Sequence, residues 1–261
     1  MQSKYGDVAV TFADHIATLE IQRGPNNFFD IALIESLAEA LETLDNQMDC
    51  RAIVLAAEGK NFCAGANFHG GAERSGLDRN PEKGNPLYAA AVRLFACRKP
   101  IVGAIQGAAI GGGFGLALVP DFRVVCAETR FAANFVALGF HPGFGLTTTL
   151  PRLVGQQRAN LLFYTGRRIN GEEALAWGLG DVFTTVDKVR SAAVELAKEI
   201  AANAPLAVQS TRATMRAGLA AAVKAATDQE FKEQSWLQKT EDHKEGIRAV
   251  AERRPGNFTG R

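Results

Sequence analysis

The chain lacks a long hydrophobic run. None approaches the ~18 apolar residues that a bilayer-crossing helix needs, so no membrane partner is expected. It also lacks a dominant sign of charge. Lysine and arginine number 29 against 28 acidic residues, for a net charge of +1. Without a block of like charge, there is no electrostatic argument for nucleic acid or an anionic lipid surface. Cysteine is scarce. Cys50, Cys63, Cys97 and Cys126 are irregularly spaced and form no C-x-x-C. They read as reduced, mostly buried thiols of a cytoplasmic protein. Residues 1–7 show no apolar signal-peptide segment, which gives the same expectation. No His/Cys/Asp group has metal-ligand spacing, and no G-x-S-x-G elbow is present, so neither a metal nor that nucleophile is expected.

What is present is a globular composition: 261 residues, 47% hydrophobic and 22% charged. That suits one large or two small domains with a substantial core. Val8–Phe12 and Ile16–Ile21 alternate as strands around a short loop at Ala13, Asp14 and His15. Asp30 is placed to cap a helix running to about Asp45, with Ile31, Leu33, Ile34, Leu37, Leu41 and Leu44 on its buried side. Ala52–Ala57 and Ile101–Ile105 are apolar strands. Pro86 starts the helix that carries Tyr88. Phe122–Cys126 and Arg130–Ala132 are further strands. Helices are expected at Phe114–Val119, Thr147–Leu153 and Gln157–Tyr164. Beyond Val186 the pattern is helical: Val186–Asn203, Leu206–Leu219, Ala220–Gln238 and His243–Arg253. Strands alternating with helices, then a helical end, predict an α/β fold with a C-terminal helical subdomain.

Two glycine turns stand out. Asn61 to Phe68 follows the first apolar strand, and Gln106 to Gly115 follows the second. Two strands therefore deliver two stretches of exposed backbone N–H. Converging on one developing negative charge, these would form an oxyanion hole built from main chain, which suits enolate chemistry on a thioester. Residues 69–86, rich in glycine and polar side chains, read as a loop that closes over a ligand. The glycines at 107–113 are not a dinucleotide fingerprint, because the N-terminal βαβ unit and the acidic ribose partner are missing.

These segments resemble the crotonase superfamily, also called the enoyl-CoA hydratase/isomerase family. Lys60 to Asn67 resembles its xxFxAGAD turn, and Ala104 to Gly113 its AxxGxAxGGG turn. Asp121, Gly139, Pro142 and Gly143 match the pattern that follows. Ala174 to Gly180 resembles its AxxxGLV helix end, and Pro255 with Phe258–Arg261 its tail. Several matches in the right order are far more specific than one glycine string. The resemblance implies a crotonase-like ββα spiral over residues 1–200 and a helical trimerisation subdomain over 201–261. It implies an acyl-CoA thioester as substrate, with no separate cofactor because coenzyme A belongs to the substrate. It also implies a homotrimer or dimer of trimers. By motif position, the N–H groups of Ala66 and Gly112 would form the oxyanion hole. Asn27, Phe28, Ala64, Asn67 and Phe68 would line the coenzyme A and acyl site.

The chain departs from the family at its acid/base positions. The two carboxylates of the hydratases fall at Gly115 and Phe135, and a third acidic position falls at Gly143. A carboxylate pair positions water and moves protons to and from carbon, which glycine and phenylalanine cannot do. Lyase, isomerase or decarboxylase-type chemistry is then the expectation. The stretch Ala133 to Gly143 resembles glutamate-less members that decarboxylate an acyl thioester. The alternatives are a hydratase with recruited groups and a non-catalytic acyl-CoA binding protein. Phe135 and Phe140 would make the acyl pocket apolar. His141 has two readings: a general acid/base, or a turn histidine bonded to backbone. His69, Tyr88, Lys83 and Asn134 are further candidates to face the substrate, each with an ordinary structural reading beside it.

Overall fold

A two-residue strand, Lys4–Tyr5 (β1), precedes the expected hairpin of Val8–Ala13 (β2) and Ile16–Ile21 (β3). Ala13 pairs with Ile16, so the loop contracts to Asp14 and His15. Both adopt positive φ, 51° and 66°, as a tight two-residue hairpin turn demands. The computed structural model describes residues 2–66 and 84–261.

Ile31–Asp45 (α1) begins where expected, because the Asp30 carboxylate accepts the Leu33 N–H at 2.9 Å. Ala52–Ala57 (β4) follows. Pro86–Phe95 (α2) has proline at its first turn, and Asn85 Oδ1 accepts from the Leu87 N–H at 3.0 Å. Next come Ile101–Ile105 (β5), Ala108–Ile110 (β6), Gly112–Ala117 (α3), Phe122–Cys126 (β7) and Arg130–Ala132 (β8). A 3-10 turn spans Asn134–Leu138. Leu146–Val154 (α4), Gln156–Thr165 (α5), Arg168–Asn170 (β9), Gly171–Ala176 (α6) and Val182–Thr184 (β10) lead to the helical end. That end consists of Val189–Ala201 (α7), Pro205–Met215 (α8), Leu219–Leu237 (α9) and Glu241–Glu252 (α10). The expected helix from Val186 starts later, because Val186–Lys188 forms a separate 3-10 turn.

One sheet has the order β1-β2-β3-β4-β5-β7-β10, and a second has β6-β8-β9. From β3 to β10 the large sheet is parallel. Both faces of such a sheet are covered, which is why every residue of β4 is buried. Helices α1 and α2 share the main core with one face. Helix α7 covers the other with Val189, Ala193, Ala197 and Ala201, small residues at helical spacing that let it lie close to Val54, Val102 and Val124. Among the described residues no helix is long and apolar enough to cross a membrane, and no group of three or more His, Cys, Asp or Glu is placed to hold a metal.

Candidate active site

β4 and β5 are parallel neighbours, paired at Ile53 and Ile101, so they end at the same edge and release both glycine turns there. The turns are stitched together by main chain. Phe62 N–H donates to the Gln106 carbonyl at 2.9 Å, Cys63 N–H to Ala108 at 2.9 Å, and Ile110 N–H to Cys63 at 3.0 Å. Ala108–Ile110, read in sequence as part of the second turn, is in fact strand β6 and pairs with β8. Two glycines permit this contact. Gly107 has φ +60°, and a Cβ on it would stand 2.1 Å from the Lys60 carbonyl oxygen. A Cβ on Gly113 would stand 2.2 Å from that of Cys63.

Beyond this joint, Ala66 and Gly112 line one cavity of about 980 Å³. Ala66 bridges to Phe29, whose N–H donates to the Gly65 carbonyl at 3.1 Å. Gly112 is the first residue of α3, where no carbonyl of the helix can reach its N–H. Neither N–H has an acceptor among the described residues. The site therefore holds two unspent main-chain donors beside a cavity, one on each turn.

The cavity has two zones. Its charged lining residues, Lys60, Glu128, Arg130, Arg168 and Arg253, are all exposed and form a rim with net positive charge. Glu128 is the one carboxylate residue on the wall among the described residues. The inner wall is aromatic: Phe29, Phe135, Phe140 and Phe144, with Leu87 and Leu138 beside them. Gly115 lies buried beneath it, since a Cβ there would come 2.7 Å from Cβ of Phe144.

Of the residues expected in the site, Ala66, Gly112, Phe28, Ala64, Phe135 and Phe140 line this cavity, and Asn27 and His141 do not. Asn27 is fully buried behind the wall. Its Oδ1 accepts from the Arg23 N–H, and its Nδ2 donates to the carbonyls of Glu58 and Asn61. It braces the first turn from behind. His141 is half-buried and directs Nδ1 at the Pro142 carbonyl, 2.8 Å away. That is the geometry of the turn-histidine reading. Asn67, Phe68, His69 and Lys83, with the rest of 67–83, lie outside the described residues.

Sequence reasoning missed a buried polar ladder on α9: Thr227, Glu230 and Gln234. Their spacing of three and four residues along an otherwise ordinary helix was the available signal. Gln234 Oε1 accepts from the Tyr88 hydroxyl at 2.7 Å, while its Nε2 donates to the carbonyls of His141 and Pro142. Burial pushes the Tyr88 phenol far above its ordinary value, so it stays protonated. Its oxygen occupies the space a side chain at Gly143 would need, with a Cβ there falling 2.1 Å away. Glu230 accepts the N–H groups of Gly145 and Thr147 and the Thr147 hydroxyl, and burial raises its pKa. The ladder holds the segment 141–147 against the cavity floor.

Two neighbouring turns thus bring the N–H groups of Ala66 and Gly112, without an acceptor among the described residues, to one apolar cavity with a cationic mouth on an α/β scaffold. The chain belongs to the enoyl-CoA hydratase/isomerase family, the crotonase superfamily, whose family profile matches residues 11–261. It is 31% identical over 257 residues to the 2,3-dehydroadipyl-CoA hydratase of Escherichia coli, covering 98% of this chain and 99% of that one. It is 30% identical over 257 residues to the carnitinyl-CoA dehydratase of Proteus mirabilis, covering 97% and 98% respectively. The crystal structure of an enoyl-CoA hydratase/isomerase from Pseudoalteromonas atlantica superposes with a TM-score of 0.86 at 27% identity, over 97% of this chain and 100% of that one. The fold is that of the crotonases.

Proposed function

We propose that this protein binds an acyl-CoA thioester and stabilises its enolate, in a lyase, isomerase or decarboxylase-type reaction. The observation that carries the reading is the pair of unspent N–H groups of Ala66 and Gly112 at one cavity wall. Two fixed donors aimed at a thioester oxygen favour the enolate over the ground state, because charge accumulates on that oxygen only as the reaction proceeds. In the low-dielectric inner cavity such donors act more strongly than in water. The exposed rim of Lys60, Arg130, Arg168 and Arg253 suits the phosphates of coenzyme A, and the aromatic inner wall suits a carbon-rich acyl group. No cofactor beyond the substrate's own coenzyme A is required.

Gly115 and Phe135 stand where the hydratases of the family carry carboxylates. The reading therefore sets hydration aside in favour of chemistry that needs an oxyanion hole without a carboxylate pair. The protein is proposed to be cytoplasmic and to assemble as a homotrimer or dimer of trimers. Exposed apolar side chains on the helical end, Leu206, Met215 and Trp236, support a face covered by other copies.

The test is turnover of a panel of saturated, enoyl, β-hydroxy and malonyl-type acyl-CoA thioesters, followed by mass spectrometry. Cleavage, isomerisation or decarboxylation of one member supports the reading, whereas hydration of the enoyl ester or dehydration of the β-hydroxy ester supports a hydratase with recruited groups. Tight binding of the panel with no conversion supports a binding protein instead. Replacing His141 with alanine tests a recruited acid/base, and unchanged turnover eliminates it.

A further inference from the structure

We infer that Asn134 is a specificity-determining residue, which selects the acyl group by hydrogen-bonding an oxygen function on its third carbon. The inference rests on the acyl-thioester reading above. Asn134 opens the 3-10 turn two residues after β8 pins the second glycine turn, where Gly111 N–H donates to the Ala132 carbonyl at 2.8 Å. That bond fixes the asparagine relative to the glycine beside Gly112. A Cβ on Gly111 would lie 3.9 Å from Asn134 Oδ1 and 3.7 Å from Phe135 Cζ. The amide thus stands next to the donor Gly112 N–H, at the border between polar turn and aromatic wall.

Four amide side chains line the cavity among the described residues: Asn61, Gln106, Asn134 and Gln234. Three are committed. Asn61 donates to Asn26 and accepts from the Ala108 N–H. Gln106 donates to the Ala57 carbonyl. Gln234 is held by Tyr88 and two carbonyls. The half-buried Asn134 amide has no hydrogen-bond partner among the described residues. Such an amide facing phenylalanine walls is costly unless a ligand or water completes it.

A thioester oxygen held by Ala66 and Gly112 places the next two acyl carbons beside Gly111, within reach of this amide. The amide is neutral and both donates and accepts, so it suits a third carbon that bears a hydroxyl or is itself a carboxylate. It has no basic lone pair to take a proton from the second carbon, so it orients the substrate and leaves the proton transfer to another group or to water. A site built to hydrogen-bond a substrate group discriminates against the analogue that lacks it.

The experiment is equilibrium binding of butyryl-CoA, 3-hydroxybutyryl-CoA and malonyl-CoA to the full-length protein and to Asn134→Leu, which keeps the volume and removes the polar atoms. The wild type is expected to bind one or both oxygenated esters about tenfold more tightly than butyryl-CoA. Which of the two is preferred identifies hydroxyl or carboxylate as the selected group. In Asn134→Leu the preference is expected to collapse towards unity. Equal affinity for all three in the wild type overturns the inference, as does a preference that survives in Asn134→Leu. Asn134→Ala carries the same reading if the leucine variant does not fold. If none of the three esters, nor coenzyme A itself, binds, the acyl-thioester reading fails and takes this inference with it.

Discussion

Phe29 touches both glycine turns, and it meets Gly112 so closely that no side chain fits between them. A Cβ on Gly112 would lie 2.3 Å from Cζ of Phe29 and 2.5 Å from Cε1. On its other side, Phe29 donates its N–H to Gly65 and bridges Ala66. Its ring packs edge-on against Phe144, with centroids 5.8 Å apart. One phenylalanine therefore sets the spacing of the two donors: its backbone holds the first turn and its ring the second.

That contact predicts the behaviour of Gly112→Ala. The N–H survives, but the methyl group must displace Phe29 and with it the alignment of the turns. Overpacking of this kind costs roughly 1–3 kcal/mol, and misaligned donors should lower turnover about 100-fold. Adding Phe29→Leu should restore most of the melting temperature. In that relieved background, alanine against proline at 112 isolates the N–H itself, because both bring a Cβ and only proline removes the donor. Turnover that is equal in the two double variants would remove Gly112 from the proposed mechanism.

Gly115→Glu is expected to fail as a way of installing a hydratase carboxylate. Its Cβ would collide with Cβ of Phe144, and its charge would be buried against the Phe144 ring. Burying an unpaired charge costs several kcal/mol on the order of the protein's whole stability, so low soluble yield is the expected result. Phe135→Glu, at a half-buried cavity position, should fold. Comparing the soluble yield and thermal melts of the two variants checks both statements.

Much of this was legible in the sequence, because local chemistry and tertiary structure agree there. The Asp30 cap, the Pro86 helix start, the wholly apolar β4 and the two glycine turns each carry their own signal. The short strands Lys4–Tyr5, Ala108–Ile110, Arg168–Asn170 and Val182–Thr184 carry little. Two or three residues hold no period, and they become strands only because a neighbour is already in place to pair with them. That Ala66 and Gly112 line one cavity could be anticipated from two apolar strands that each run into a glycine turn. The roles of Phe29 and Phe144 could not, since nothing local tells a packing phenylalanine from one that braces a turn. Asn27 likewise reads as a site residue by motif position, yet all its hydrogen bonds run inward to the scaffold.

The buried thiols predict a dependence on alkaline pH. Burial pushes Cys63 up to about 12 and Cys50 up to about 11, from a usual value of 9.0. These groups stay protonated in the folded protein while their unfolded counterparts ionise. Their contribution to stability is full below about pH 9 and is lost as pH rises towards 11–12. Melting temperature should fall across that window, and less steeply in Cys50→Ser/Cys63→Ala. At neutral pH all four cysteines, buried as they are, should react with a thiol reagent only after denaturation.

The C-terminal tail should respond to acid. Glu245 accepts from Arg254 Nη1 at 2.5 Å and from the Asn257 N–H at 3.0 Å, and the Arg254 guanidinium holds its carboxyl down at about 2. A depressed carboxylate contributes above its ordinary value of 4.5 and loses that contribution as pH falls towards 2. The protection of the Asn257 amide against hydrogen exchange, taken relative to its intrinsic rate at each pH, should fall over that range. Glu245→Gln should accelerate exchange at Asn257 at neutral pH. Because Arg253 lines the cavity mouth just before this tail, the same variant should also weaken coenzyme A binding.

The central claim is that the two turns stabilise an enolate, and the direct measurement is deuterium uptake at the second acyl carbon. Acyl-CoA thioesters incubated with the protein in D2O are read by mass spectrometry. The account predicts enzyme-dependent deuterium, in a substrate or in its product, that is lost in Phe29→Leu/Gly112→Pro and retained in Phe29→Leu/Gly112→Ala. Deuterium incorporation that proceeds equally in both double variants, or none from a protein that binds the whole panel, would contradict it.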